Sequence, residues 1–170
     1  NLKTALSTGT FFAASKKLGN HDELKEICNY MLENGNEEAK AIAEDVLTRQ
    51  TEDYEAKYEA PLDVDAPYVN SVIVDDAEDR ITLETTDDLC IRWIANGNTI
   101  AYGNSIDLDD YAANIGNYVR AEIFGAGGIV YTQAFLLEYD DAPIDTTEED
   151  GFYDFWEFAS FIPDNLVRFL

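Results

Sequence analysis

Apolar and polar positions alternate most clearly over residues 118–137, and the rest of the chain is read outward from there. Val119, Ala121 and Ile123 alternate with Tyr118, Arg120, Glu122 and Phe124. That is the period of a half-buried strand. Past Gly125, Gly127 and Gly128, a second alternation puts Val130, Thr132, Ala134 and Leu136 on one face. Ile129, Tyr131, Gln133 and Phe135 take the other. The glycines offer the positive-φ positions that hairpin loops often need. An antiparallel hairpin is predicted, with Val119, Ala121 and Ile123 facing the core and Arg120 and Glu122 facing outward. In that register Glu122→Ala costs little, whereas Ala121→Asp unfolds the domain.

Elsewhere the period changes. Over residues 20–58 apolar residues recur at helical spacing: Leu24, Ile27, Tyr30 and Met31, then Ala39, Ile42, Ala43, Val46 and Leu47. Asn20 or Asp22 is expected to cap the first helix, Asn34-Gly35 to end it, and Asn36 to cap the second, giving an αα-hairpin. Pro61 and Pro67 bracket an acidic linker, where the main boundary is expected. Strands are predicted at 69–74, 81–85, 89–95, 99–102 and 105–108, with a polar turn at 75–80 and a turn signal at Asn96-Gly97-Asn98. Within 89–95, Ile91 and Trp93 share one face, and Cys90, Arg92 and Ile94 the other. Asp107 or Asp109 caps a single helical turn through Ala113. At the start, Leu2, Ala5 and Leu6 read as the end of a helix, Gly9 as its stop and 10–15 as a short apolar strand. At the end, 140–150 is an acidic connector. Residues 152–170, rich in aromatics and interrupted by Pro163, are predicted as two short helices.

The predicted fold class is therefore α+β: an Ig-like antiparallel β-sandwich of about seven strands, with an N-terminal helical hairpin and a short C-terminal helical tail. Of 170 residues, 46% are hydrophobic and 12% aromatic, a globular composition. Against 35 acidic residues stand 11 basic ones, for a formal charge of −24. That surface repels phosphate backbones and anionic membranes, so no nucleic-acid partner is expected. No apolar run approaches ~20 residues, so no membrane span is expected. Asp154, Glu157, Asp164 and Arg168 argue against one in the tail. Cys28 and Cys90 read as buried thiols, and no signal-peptide pattern is read, so a cytoplasmic location is expected.

Candidate chemistry is thin. His21 stands beside Asp22 and Glu23, but one imidazole without two or three partners is not a metal site. Asp75, Asp76, Glu78 and Asp79 lack the spacing of a calcium loop and read as a solvated turn. Asp140, Asp141 and residues 148–150 read the same way. Among 35 acids no glycosidase pair can be chosen. Cys28, one turn before Met31, reads as a structural thiol. A phosphate loop should open a helix, whereas the glycines at 125–128 precede a strand. Trp93 could be a sugar-stacking platform or a core residue, and its strand position favours the core. No catalytic, cofactor-binding or metal-binding residue is assigned.

Two stretches carry a resemblance. Tyr118-Val119-Arg120-Ala121-Glu122-Ile123 with Tyr131-Thr132-Gln133-Ala134-Phe135 resembles the closing strands of the C-terminal accessory domain of PHP-type (polymerase and histidinol phosphatase) metal-dependent phosphoesterases. Ala134 stands where that family often has Pro. Leu6-Ser7-Thr8-Gly9-Thr10-Phe11-Phe12-Ala13-Ala14-Ser15 is similar to the helix–glycine–strand junction that ends the family's barrel. The resemblance implies that residues 1–18 end an α/β barrel domain lying largely upstream of Asn1. Residues 19–60 are then a helical insertion or linker, 67–140 the sandwich domain, and 141–170 the acidic connector and aromatic tail. It implies a non-catalytic region that braces the barrel or shapes its active-site mouth. The divalent metals belong to the upstream barrel, and no cofactor belongs to this chain. The partners expected are that barrel and, through residues 152–170, a second copy. The family's His-x-His and Asp-x-His motifs have no counterpart, since His21 is the only histidine. The alternatives are a free-standing ligand-binding sandwich, for example for carbohydrate, and an enzyme of another type.

Overall fold

The computed structural model describes residues 12–17, 21–52 and 59–137. The expectations for the helix end before Gly9, the acidic connector and the aromatic tail lie outside these residues. The elements are β1 (Phe12–Ser15), α1 (His21–Asn34), α2 (Glu37–Glu52), β2 (Tyr68–Asp75), β3 (Arg80–Thr86), β4 (Cys90–Ala95), β5 (Asn98–Tyr102), β6 (Ser105–Asp107), a 3-10 turn (Asp109–Tyr111), β7 (Tyr118–Gly125), β8 (Gly128–Thr132) and β9 (Phe135–Leu136). The chain is α+β and mostly antiparallel sheet. One sheet runs β1-β8-β7-β4-β5, with β9 also on β7, and the other runs β2-β3-β6.

Local chemistry explains the junctions. The Asn36 side-chain oxygen accepts the Ala39 N–H at 2.9 Å and caps α2. Glu37 and Glu38 then complement the positive end of the helix. Asn96 and Gly97 both take positive φ, 50° and 77°, which joins β4 to β5 by a two-residue turn.

The two sheets share a core. Ile81, Leu83 and Ile106 of the small sheet meet Ile91, Trp93, Ala101, Val119, Ala121, Ile123 and Val130 of the large one. A second core lies on the opposite face of the large sheet. There Cys90, Phe124 and Ile129 pack against Leu24, Ile27, Cys28, Met31, Ala39, Ala43 and Val46 of the helical hairpin. Each large apolar side chain among these contributes about 1.5–3 kcal/mol when fully buried. The layers are therefore helices, large sheet and small sheet. All six residues of β4 are buried, as expected for a strand covered on both faces.

This layering corrects three expectations. Glu122 does not face solvent: the helical hairpin covers that side of β7 and leaves it 4% exposed, whereas Arg120, nearer the end of the strand, stays 32% exposed. The alternation expected through residue 136 breaks after Thr132. Gln133 and Ala134 leave the strand, β9 resumes opposite Tyr118 and Val119, and Phe135 turns onto Trp93 in the inter-sheet core. Of the loop glycines, Gly128 has positive φ (130°), but Gly125 and Gly127 serve close approach. A side chain on Gly125 would meet Pro67 and the Asp87 carbonyl, and one on Gly127 would meet the Asp65 carbonyl.

The proline-bracketed stretch accordingly packs onto the β7–β8 loop. Ala60 N–H donates to the Lys16 carbonyl at 2.8 Å, and Lys16 Nζ donates to the carbonyls of Pro61 and Val64. Phe12–Ser15, expected at the end of a preceding domain, lies antiparallel along β8 through four residue pairs.

Gly127→Ala should lower unfolding free energy by about 1–3 kcal/mol, because the Asp65 backbone has to move. Urea denaturation with a midpoint equal to that of the parent chain would contradict this packing.

Candidate functional site

A cluster of charged residues lies between α1 and the large sheet. In β4, alternation directs Cys90, Arg92 and Ile94 to the helix side. In β7 it directs Arg120, Glu122 and Phe124 there. The register sets Arg92 directly opposite Glu122, between Cys90–Phe124 and Ile94–Arg120. Arg92 is 3% exposed and Glu122 4%.

Arg92 donates to Glu122 Oε2 from Nε at 2.8 Å and from Nη2 at 2.5 Å. Arg120 Nη1 donates to the other oxygen of Glu122. Arg92 Nη1 lies 3.5 Å from Thr99 Oγ1 and 3.7 Å from Glu26 Oε2 on α1. The Tyr102 hydroxyl donates to Glu26 Oε1 at 3.1 Å, and its ring stacks on Tyr30 at 3.7 Å. Two guanidinium groups thus face two carboxylates. Arg92 and Glu122 are the buried pair, and burying either charge alone would cost several kcal/mol, so each needs the other there. Burial first, and the Glu26 charge second, push the Tyr102 hydroxyl above its ordinary value.

Next to this cluster a partly open groove of about 200 Å³ runs between the end of α1 and the start of β4. Tyr30, Met31, Asn34, Leu89, Cys90 and Gly103 line it. Burial pushes the Cys90 thiol up to about 12, although Arg92 pulls it down. Burial likewise pushes Cys28 up to about 12. Both thiols stay protonated near neutral pH, and a protonated thiol is a weak nucleophile. What the arrangement does chemically is tie α1 to β4 and β5 through Glu26, and β4 to β7 through the Arg92–Glu122 pair.

The residues weighed from sequence fall elsewhere. His21 opens α1, and Cys28 lies in the helix-side core. Trp93 is fully buried, with its indole N–H donating to the Gly103 carbonyl at 2.9 Å. Asp75, Asp76, Glu78 and Asp79 form the exposed β2–β3 turn, in which Asp75 Oδ1 accepts the Ala77 N–H. Among the described residues, no group of three or more His, Cys, Asp or Glu side chains is placed to hold a metal ion.

The Arg92–Glu122 pair was missed. Its signal was the apolar company on its own face, Cys90, Ile94 and Phe124, which a solvent-facing row would not have. No protein family, curated protein or solved structure was found to match the chain.

Glu122→Ala should destabilise the fold by about 3–5 kcal/mol, because it removes the buried carboxylate that holds Arg92 by two hydrogen bonds. Arg92→Met combined with Glu122→Leu should recover most of that loss in guanidinium denaturation. A cost for Glu122→Ala within about 0.5 kcal/mol of the parent would contradict the burial of the pair.

Proposed function

We propose that the chain is a non-catalytic accessory region of a PHP-type metal-dependent phosphoesterase, bracing a barrel domain or shaping the mouth of its active site. The observation that carries this reading is β1. The residues that resemble the last barrel strand, Phe12–Ser15, pair along their whole length with β8. Yet Phe12, Ala13 and Ala14 stay exposed, Phe12 by 46%. An apolar strand that is bonded to one sheet and open on its own surface is suited to pass the position of a sandwich to a neighbouring domain.

Two antiparallel sheets around a buried tryptophan support an Ig-like reading of the sandwich. Two buried free cysteines support a reducing, cytoplasmic setting. On this reading the divalent metals that the family implies belong to the barrel domain. The free-standing carbohydrate-binding alternative has less support, since Trp93, its stacking candidate, is inside the core.

The purified chain, given Mn²⁺, Mg²⁺ or Zn²⁺ with an aryl phosphate or a phosphodiester, should show no metal-dependent turnover. Hydrolysis needs an ion fixed against an activated water and the developing charge. Turnover that survives repurification and disappears when a particular acid or His21 is replaced would overturn the reading.

A further inference from the structure

We propose that β2 is a docking edge that accepts an extended, basic segment of a partner protein as an added strand. The smaller sheet runs β2-β3-β6, so β2 is an edge, and among the described residues β3 alone pairs with it. An edge strand presents a row of backbone donors and acceptors, and β-strand addition uses that row for affinity. Proteins usually blunt such edges with lysine, proline, inward charges or bulges. In β2 a register shift lies between Val69 and Ser71, but residues 71–74, Ser-Val-Ile-Val, carry no charge and no proline.

The side chains suit a partner too. Val72 packs into the inter-sheet core, while Ile73 is 48% and Val74 57% exposed. The outer face of the sheet is already bridged by polar pairs, Asn70–Thr86, Ser71–Glu84 and Thr82–Ser105. Among the described residues, the β2 edge is therefore open.

Charge selects the occupant. Exposed Asp63 and Asp65 precede the strand, exposed Asp75 ends it, and exposed Asp76, Glu78 and Asp79 follow. Arg80, the cation at that end, is already bonded to Asp107 at 2.9 Å. A second copy would bring the same acidic ends and a formal charge of −24 against this edge. Residues 138–170 of the same chain are acidic as well. A strand with an apolar centre and Lys or Arg at both ends complements the edge, gaining affinity from backbone pairing and selectivity from charge. The site stands on this edge alone and not on the phosphoesterase resemblance.

The test is a titration of the ¹⁵N-labelled full chain with a synthetic peptide of about ten residues, a typical strand length or somewhat more. The peptide has an alternating Val-Thr centre and two Lys at each end. Saturable binding should shift the amide resonances of residues 71–75. It should weaken by about tenfold or more with Glu in place of Lys, and with rising salt. It should weaken similarly when alternate peptide amides are N-methylated, or in the exposed-edge variant Ile73→Lys.

Absence of saturable binding would overturn the proposal, as would undiminished binding of the N-methylated peptide or shifts confined to another surface. Self-association of the chain that Ile73→Lys abolishes would also overturn it, by naming a second copy as the occupant. Phosphoesterase turnover in the earlier assay, with peptide binding intact, would remove the accessory role and leave this site standing.

Discussion

The central constraint is that the large sheet has two apolar faces and therefore needs two covers. β4 and β7 carry Trp93, Ala121 and Ile123 on one side and Cys90, Arg92, Glu122 and Phe124 on the other. A sheet covered on one face alone would leave the second row in water, with its apolar area unburied. The small sheet covers the first side and the helical hairpin the second. Apolar burial supplies the drive for both contacts, but it is not directional. On the helix side, direction comes from Arg92, which reaches Glu122 on its neighbour strand and Glu26 on α1. A buried charge tolerates few arrangements, and that narrows how α1 can lie on the sheet.

Much of this was legible in the sequence where the signal is local. The helical spacing of Leu24, Ile27 and Met31, the cap at Asn36, the Asn96-Gly97 turn and the burial of Trp93 each depend on a few neighbouring residues. What was not legible depends on which layer lies above which face. Alternation shows that Arg120 and Glu122 point away from Ala121, but not whether water or a helix waits there. From sequence alone an acidic residue in a strand reads as solvated, because most are. The pairing of Arg92 with Glu122 is set by register across 30 positions of sequence, which periodicity cannot see. The loop glycines show the same limit. Positive φ is a local property and explains Gly128, whereas Gly125 and Gly127 answer to Pro67 and Asp65, remote in sequence.

The functional reading follows from where polar and apolar groups end up. The thiols are buried and protonated, and the interior charges are spent on one another. Among the described residues, strands with open edges stand out at the surface: β1 with Phe12, and β2 with Ile73 and Val74. Edges recognise by backbone pairing, which suits binding and bracing. The formal charge of −24 repels anionic groups and attracts cationic ones, and its self-repulsion works against the compact state.

The central claim is that the helical hairpin is an integral layer of the fold and not an attachment. Native-state hydrogen exchange under increasing denaturant tests it most directly. The slowest amides of α1 and α2 should exchange through the same global opening as those of β4 and β7, with matching free energy and denaturant dependence. Helix amides that exchange through a separate opening, several kcal/mol below that of the sheet, would contradict the account.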